Sequence, residues 1–228
     1  MDLFQYEDIL VYRSVYAPVK SNMYAIITDK EAVVFDPCED EELLALFQEK
    51  GVDKVHILLT HEHYDHTSGL RWLMKAIDND LYCHQATAER LLSGRGSLPH
   101  LVSFVLSMQD KQDGGHRYDD FKRSYQPYTC KADKTFGTTD MLCYGNLHID
   151  VTSTPGHSPG SACYFLNNKI VFTGDTLLQN NAVITRFPES NEDHFKKISL
   201  PFLQSLDKKL IVMPGHGDPF VLKDTNYI

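Results

Sequence analysis

Seven consecutive residues, Thr60 to His66, hold an unusual concentration of side chains that can bind metals. Three imidazoles and two carboxylates fall within them, from His61, Glu62, His63, Asp65 and His66. Neutral imidazole and carboxylate are ligands that suit zinc, iron and manganese. In an extended or turning segment His61 and His63 point to the same side, whereas Asp65 and His66 lie further round the turn. Because one metal ion would accept at most three of these four donors, the spacing suggests two metals sharing one site.

Three later segments each place one further donor beside glycines at the end of an apolar, strand-like run. The donors are His157, Asp175 and His216. Glycine permits the sharp turn and the close backbone approach that a metal ligand needs. Taken alone, a histidine in such a loop is usually only a loop residue, and the first cluster alone can be a solvated polar loop. Four such strand ends in one chain favour a shared metal site.

The first cluster lies between a predicted strand and a predicted helix. Val55 to Leu59 is a short apolar run with β-branched residues, which is typical of a buried strand. Thr67 to Asp78 carries leucine, methionine and isoleucine at helical spacing, which predicts a helix. The cluster therefore belongs to a loop at the carboxyl end of a strand, where open α/β sheets place their sites.

Other segments predict alternating strands and helices along the chain. Residues 24–35 predict a hairpin, and 39–50 a helix with acidic residues in its first turn and Gly51 beyond its last. Further predicted strands are 81–84, 147–152 and 210–213, and further helices are 86–92 and 191–206.

The sequence contains an internal repeat, with one copy near its start and one in its second half. The spacing from Ser21 to Asp36 is mirrored, with a slip of one residue, by the spacing from Ser161 to Asp175. Each copy predicts a strand, a tight turn, a second strand and then an aspartate. The repeat indicates two similar halves that face each other, although two generic hairpins can coincide. With two halves Asp36 would lie near the site; otherwise it is a turn residue.

Composition limits the classes of function. The chain has 228 residues, 42% of them apolar, which is enough for a sizeable core, and its formal charge of −9 argues against a nucleic-acid binder. The first ten residues do not form a signal peptide, and no apolar run reaches the length of about 18 residues that a membrane helix needs. We therefore expect a cytoplasmic protein with no membrane partner. The five cysteines are odd in number and form no C-x-x-C pair, which fits a reducing compartment: Cys38, Cys83, Cys130, Cys143 and Cys163.

The motifs resemble those of the metallo-β-lactamase-fold hydrolases, and within them the glyoxalase II-like (hydroxyacylglutathione hydrolase) branch. The resemblance covers roughly residues 20–98 and 133–220. It implies an α/β (α+β) fold, a four-layer αββα sandwich with the site along one edge. It also implies two divalent metals, zinc first and iron or manganese as alternatives, bridged by Asp175 together with a water or hydroxide. One metal would be held by His61, His63 and His157, and the other by Asp65, His66 and His216.

Residues 93–132 depart from the common core of that family. We expect one domain over residues 1–228, with 93–132 as an inserted helical or looped segment that covers the site. Loops of this length without structure are uncommon unless they are functional or disordered. Seven of its side chains either contact substrate or lie on the solvated surface: His100, His116, Arg117, Tyr118, Lys122, Arg123 and Tyr125.

Two further departures concern the substrate. Glyoxalase II and the persulfide dioxygenases resemble each other in a Gly-Arg-x-Asp-like stretch after the bridging aspartate, and here only Arg186 is a partial counterpart. The chain also ends about a dozen residues after His216, so the helical domain with which glyoxalase II grips glutathione is not expected. Both departures speak against a glutathione thioester as the substrate.

The expected chemistry is hydrolysis by a metal-bridging hydroxide. Water held between two cations loses a proton near neutral pH and can attack an acyl carbon, with Asp65 accepting or delivering a proton. About one positive charge remains after the ligands are counted, which favours a small anionic or amphipathic ester, thioester or lactone. No serine or cysteine nucleophile is required. Alternatives are a phosphodiesterase, an iron oxygenase that uses only the three histidines of one metal, and a non-catalytic metal-binding scaffold. The oligomeric state stays open, and a dimer is compatible with the sequence.

Overall fold

The structure, a computed structural model, describes residues 1–94 and 97–228. The first seven strands are β1 (Asp2–Tyr6), β2 (Ile9–Tyr16), β3 (Ser21–Ile27), β4 (Glu31–Phe35), β5 (Lys54–Leu58), β6 (Asp78–His84) and β7 (Lys134–Phe136). The later strands are β8 (Thr139–Tyr144), β9 (Leu147–Ser153), β10 (Ala162–Leu166), β11 (Ile170–Gly174), β12 (Ile211–Pro214) and β13 (Phe220–Val221).

The helices separate these strands and cover the sheets. They are α1 (Glu41–Lys50), α2 (Tyr64–Thr67), α3 (Leu70–Ala76), α4 (Gln85–Ser93), α5 (Pro99–Asp113), α6 (Arg117–Ser124), α7 (Glu192–His194) and α8 (Leu200–Ser205). A π-helical turn (Phe195–Ser199) joins α7 to α8, and a 3-10 turn (Leu222–Asp224) follows β13.

In the described part of the chain the strands form two mixed sheets. The first has seven strands in chain order from β1 to β7, and the second has six in the order β13-β12-β11-β10-β9-β8. In the first, the antiparallel hairpin β3–β4 is followed by β5, which pairs in parallel with β4. In the second, the antiparallel hairpin β10–β11 is followed by β12, which pairs in parallel with β11. The two halves therefore share the arrangement that the sequence repeat predicted.

The sheets pack face to face and carry helices on their outer faces. Between them Phe35 of β4 stacks on Phe172 of β11 with ring centroids 3.8 Å apart, and both rings are buried. On the outer face of the first sheet Leu43 and Phe47 of α1 are buried, and Leu203 of α8 is buried on the outer face of the second. The arrangement is helix, sheet, sheet, helix, which confirms the predicted αββα sandwich.

Helix α1 is capped as the sequence indicates, but it begins two residues later than predicted. The side chain of Asp40 accepts hydrogen bonds from the backbone N–H groups of Glu42 and Leu43, which satisfies donors that a helix leaves free at its start. Gly51 ends the helix with φ of 70°, a conformation that glycine adopts at low cost.

The helix predicted over residues 67–78 is wrong in its bounds. It is divided into α2 and α3 at Gly69, and residue Asp78 already belongs to β6. At Gly69 the backbone passes so close to the preceding loop that a Cβ atom would lie 2.3 Å from the carbonyl carbon of Cys38. Gly69 N also donates to Pro37 O over 2.8 Å, so this contact ties the helical segment to the end of β4.

The helix predicted over residues 191–206 is interrupted by the π-helical turn. Leu200 N donates to Phe195 O, five residues back, instead of to the oxygen four residues back. Pro201 has no N–H group, so it cannot extend the ordinary α-helical hydrogen-bond pattern at this point. The other predicted elements are present with small shifts at their ends: β5, β6, β9, β12 and α4.

Helices α5 and α6 occupy the segment that the sequence analysis took as an insertion. Val102 and Leu106 of α5 are buried against Phe121 of α6, and Tyr64 of α2 packs on this small cluster. The helices therefore rest on the loop that carries the first histidine cluster. Arg95 and Gly96, which the predicted insertion includes, lie outside the described residues, and its status as a separate inserted segment stays a prediction.

The structure also shows the state of the cysteines and the length of the helices. All five cysteines carry free thiols, and Cys38, Cys83 and Cys163 are buried as small apolar residues. Within residues 1–94 and 97–228 no helix has both the length and the apolar character needed to span a bilayer.

Candidate metal centre

Four connections leave the strands at one edge of the sandwich and meet there. The first runs from β5 into α2, and the others follow β9, β11 and β12. The structure brings all seven predicted ligands together at this edge: His61, His63, Asp65, His66, His157, Asp175 and His216. Residues separated by more than 150 positions in the chain thus face one another because both sheets end at the same side.

Three histidines form the first group of donors. One nitrogen each of His61, His63 and His157 lie within 4.8 Å of one another, and all three side chains are buried. His157 Nε2 lies 3.0 Å from His63 Nδ1. Three imidazole nitrogens that converge in this way match the ligand set of one zinc-type cation.

The second group contains a carboxylate and two imidazoles, and a further carboxylate lies between the groups. Donor atoms of Asp65, His66 and His216 lie within 4.8 Å of one another, with His216 Nε2 at 3.2 Å from Asp65 Oδ2. Asp175 Oδ1 lies 3.4 Å from His66 Nε2 of this group, and Asp175 Oδ2 lies 3.5 Å from His157 Nε2 of the first. Asp175 therefore faces both groups.

Several of these atoms are buried without a hydrogen-bond partner. Within the described part of the chain, His61 Nε2, His66 Nε2 and Asp175 Oδ1 make no hydrogen bond. Leaving a buried polar atom unsatisfied costs about 1–3 kcal/mol, so native proteins rarely do so without a reason. Bound cations would satisfy all three atoms at once, and imidazole with carboxylate suits zinc, iron and manganese. The donor clusters fit two divalent metal ions.

Backbone carbonyls fix the orientation of two of the rings. His157 Nδ1 donates to Ile184 O over 2.9 Å, and His216 Nδ1 donates to Lys20 O over 3.2 Å. Because a carbonyl oxygen can only accept, each Nδ1 carries a proton, and the Nε2 atom of each ring faces the site. Such partners of the remote nitrogen set the tautomer of a ligating histidine.

Asp36, at the end of β4, orients one ring of each group. Its Oδ2 accepts from His66 Nδ1 over 2.9 Å and from the hydroxyl of Thr60 over 2.6 Å, and its Oδ1 accepts from Thr60 N over 2.7 Å. Because the Thr60 proton is used in this way, Thr60 Oγ1 accepts from His61 Nδ1 over 3.0 Å. Asp36 therefore lies near the site, as the repeat predicted, and is not a plain turn residue.

Burial determines the charge of the first group of imidazoles. It lowers the pKa of His63 to about 3, with a further contribution from His157. Burial likewise lowers the pKa of His61 well below its ordinary value and also lowers that of His157. The three rings are thus neutral at neutral pH, which is the form that binds a metal.

Carboxylates determine the charge of the second group. Burial acts to lower the pKa of His66, but Asp65 and Asp175 outweigh it and raise that pKa well above its ordinary value. The pKa of His216 is raised in the same way, against burial, by Asp175 and Asp65. In turn, His66 and His216 lower the pKa of both carboxyls although burial opposes this. In this group the carboxylates thus favour protonated imidazoles, and a bound cation would compete with those protons.

Glu62, which belongs to the first histidine cluster but is not one of the predicted ligands, is buried behind the site. Only 2% of the residue is exposed, and its carboxylate accepts from the hydroxyls of Thr87 and Ser158 over 3.1 and 3.0 Å. Arg90 Nε lies 3.3 Å from the other carboxylate oxygen and 2.8 Å from Glu189 Oε2. This network joins the loop of His61 and His63 to helix α4 and to the loop after β9.

The Arg90→Ala variant is expected to lose about 2 kcal/mol of unfolding free energy, because it leaves the buried carboxylate of Glu62 without its cation. Chemical denaturation measures the change. The matched control is Arg123→Ala, which removes an exposed arginine whose partner Asp120 is also exposed. That loss should stay below about 0.5 kcal/mol, the scale of a surface pair. Equal losses in the two variants would contradict a supporting role for Arg90.

Because Gly215 has no side chain, the backbone after β12 can pass close to Asp175 and His66. A Cβ atom on Gly215 would lie 2.3 Å from Asp175 Oδ1 and 2.7 Å from His66 Cε1, although its backbone is not left-handed. Gly215→Ala should therefore displace both ligands and lower kcat/KM about a hundredfold, the scale of an ångström of misplacement. Gly137→Ala is the control, because nothing lies within 4 Å of its added atom. If Gly215→Ala matched the control in metal content and kcat/KM, the close contact of the Gly215 backbone with Asp175 and His66 would not be needed.

A cavity of about 440 Å³ opens onto the donor groups. None of the seven side chains named from residues 93–132 is among its described lining residues, and Arg117 is instead paired with Asp110 and Asp113. Arg186 is exposed and does not line it either. The lining residues that the sequence analysis missed are mostly apolar: Val19, Leu101, Val102, Val105, Leu178, Asn181, Ala182, Ile184 and Phe187.

Fold and donor groups together define a class of protein, the metal-dependent hydrolases built on an αββα sandwich. Within that class the chain belongs to the metallo-beta-lactamase superfamily, whose family model matches residues 16–216. It is 28% identical over 206 residues to the probable metallo-hydrolase YqgX of Bacillus subtilis (strain 168), covering 88% of this chain and 86% of that one. The predicted family is therefore confirmed, and the protein is similar to enzymes described as metallo-hydrolases.

Two further comparisons support the branch and the fold. The chain is 23% identical to the hydroxyacylglutathione hydrolase GloC of Haemophilus influenzae, over 83% of this chain and 81% of that one. The crystal structure of the BLEG-1 B3 metallo-beta-lactamase superposes with a TM-score of 0.70 at 26% identity, covering 94% of this chain and 95% of that one. These similarities agree with the predicted glyoxalase II-like branch.

Proposed function

We propose that the protein is a binuclear metal-dependent hydrolase that cleaves an ester, thioester or lactone of a small molecule. The observation that carries the proposal is the position of Asp175, which faces two groups of three donors at the floor of one cavity. Zinc is the metal that we favour, with iron or manganese as alternatives, because imidazole and carboxylate ligands suit all three.

Each ligand has a role in holding the centre. His61, His63 and His157 would bind one cation, Asp65, His66 and His216 the other, and Asp175 would contribute to both. When bound, the cations lower the pKa of water between them and polarise the substrate carbonyl. The carboxylate of Asp65 lines the cavity and would take the proton from the attacking water and deliver it to the leaving group.

The described lining of the cavity includes no hydroxyl, thiol or amine nucleophile. Among the described lining residues none is serine, cysteine or lysine, so no covalent acyl-enzyme is expected and water is the attacking group. The walls limit the water that can reach the site once substrate is bound. The reacting carbonyl would lie over Asp65 and Asp175, with the rest of the substrate in the cavity.

The alternatives fit the site less well. A phosphodiester would bring negative charge to a cavity whose described lining includes no lysine or arginine. An iron oxygenase that used only His61, His63 and His157 would leave Asp65, His66 and His216 without a role. We further propose a small-molecule substrate, a cytoplasmic location, and no nucleic-acid or membrane partner. The oligomeric state stays open, and a dimer is compatible with the sequence.

Turnover of three substrate classes by the metal-loaded protein tests the proposal. The panel contains a neutral acyl thioester, a lactone and bis(p-nitrophenyl) phosphate, each with metal-free protein as the control. We expect metal-dependent hydrolysis of the thioester or the lactone and at least about tenfold lower kcat/KM for the phosphodiester. Faster cleavage of the phosphodiester would favour a phosphodiesterase, and absence of all turnover with metals bound would favour a non-catalytic metal protein.

A further inference from the structure

The cavity above the donor groups is polar at its floor and apolar along its walls. The polar floor consists of His63, Asp65, Asp175 and His216. One wall is a face of α5, with Leu101, Val102 and Val105, and the opposite wall is the chain after β11, with Ala182, Ile184 and Phe187. A small number of polar groups inside an apolar wall is the usual form of a small-molecule site.

The described lining residues offer no positive side chain to a charged substrate tail. None is lysine or arginine, and the floor already carries the carboxylates of Asp65 and Asp175. The side chains of Lys20 and Arg117 line a separate cavity, which Gln109 of α5 also lines. A substrate carboxylate placed against the apolar walls would lose water without gaining a partner, which is costly.

Helix α5 has more apolar surface than its packing needs. Val102 and Leu106 form the stripe that is buried against α6. Leu101 and Val105, four positions apart on the neighbouring stripe, line the cavity, and Val105 is 39% exposed. Residues four apart lie on one face of a helix, so this second stripe forms a continuous apolar wall. An apolar ligand in the cavity would cover Leu101 and Val105, which the fold itself leaves partly exposed.

Phe187 fixes the opposite wall next to the reacting end. Its ring centroid lies 5.8 Å from that of His63 and 5.7 Å from that of His157, in edge-to-face geometry in both cases. Such aromatic contacts hold the ring in one orientation. The apolar surface therefore begins directly beside the first donor group and continues outward between Ile184 and α5.

From this geometry we infer that the site selects substrates with an uncharged, apolar acyl chain, which lies between α5 and the loop after β11. Because the reacting carbonyl is taken from the proposed hydrolase function, this inference rests on that function. It differs from the sequence-based expectation of an anionic substrate, since that expectation considered only the charge left on the metals and not the walls around them.

Binding of non-cleavable probes tests the inference without requiring turnover. The probes are thioethers of N-acetylcysteamine with ethyl, butyl or hexyl chains, and the same chains ending in a carboxylate, titrated calorimetrically into the zinc-loaded protein. We expect affinity for the neutral series to rise about fourfold per methylene, which corresponds to about 0.8 kcal/mol. The carboxylate series should bind more weakly at each length. Affinity independent of length, or tighter binding of the carboxylate series, would overturn the inference.

A charge introduced into the wall gives a second, directional test. In Val105→Lys the preference between the neutral and the carboxylate-ended butyl probe should shift about tenfold or more towards the carboxylate. Phe104→Lys is the matched control, since Phe104 is 64% exposed on the same helix, faces away from Val105 as its immediate neighbour in the chain, and does not line the cavity. A shift of the same size in both variants would contradict a wall formed by Val105.

The two proposals fail in different ways. If the neutral thioethers bind as expected but the corresponding acyl thioesters are not cleaved, the apolar cavity stands and the hydrolase function is wrong. If the acyl thioesters are cleaved but the probes show no dependence on chain length, the hydrolase function stands and the apolar selection is wrong.

Discussion

Asp175→Ala is expected to abolish metal binding and hydrolysis together. The carboxylate oxygens of Asp175 face both donor groups, at 3.4 Å from His66 Nε2 and 3.5 Å from His157 Nε2. Its loss would remove a ligand from each cation and the negative charge between them. We expect kcat/KM to fall by about a thousandfold or more, because a metal centre lowers the barrier by several kcal/mol and about 1.4 kcal/mol is a factor of ten.

Metal analysis by mass spectrometry, together with thioester turnover, measures this effect. The matched control is Asp193→Ala, which removes an exposed carboxylate of α7 that forms an ion pair with the exposed Lys197. That variant should keep both the metal content and the rate. An Asp175→Ala protein that retained two metal ions and the full rate would show that Asp175 does not bridge the centre.

Asp36→Asn is expected to weaken metal binding at both positions, although Asp36 is not one of the proposed ligands. Its carboxylate receives His66 Nδ1 directly and His61 Nδ1 through Thr60, so one ring in each group depends on it. The amide of asparagine would present a donor to groups that are themselves donors. Loss of such an orienting partner typically costs 10–100-fold in metal affinity or activity.

Asparagine is the informative replacement because its size and its backbone preferences match those of aspartate. The φ angle of Asp36 is +52°, a left-handed conformation that asparagine tolerates better than alanine, so backbone strain does not confuse the result. Asp29→Asn, at an exposed turn, is the control and should leave zinc affinity unchanged. If Asp36→Asn bound zinc as tightly as the control, the relay through Thr60 would not orient the rings.

The convergence of the seven side chains was predictable from the sequence because they come from short segments with strong local signals, and their role as metal ligands stays a prediction. Each of His61, His157, Asp175 and His216 follows an apolar run and stands among residues that favour turns. Sheets end their strands at common edges, so the donors of different segments can be expected to meet there. The position of Asp36 followed from the repeat, since Asp175 holds the equivalent place after β11.

The surroundings of the site were not predictable in the same way. Glu62 finds Arg90 and Ser158 only through tertiary packing, and no spacing within the chain indicates these partners. The apolar wall that α5 contributes to the cavity was not predicted, because a sequence does not tell which of two apolar stripes is covered. Strands β1 and β2 were missed because some of their apolar residues are also exposed, among them Leu3, Leu10 and Val15, which blurs the alternating signal.

The central claim is that the seven side chains hold two cations that act together in hydrolysis. Stepwise titration of the metal-free protein with Zn²⁺, followed by calorimetry and by the rate of thioester cleavage, tests it most directly. We expect two equivalents to bind per chain and the rate to reach its maximum only when the second is bound. Saturation at one equivalent with the full rate would contradict a binuclear centre.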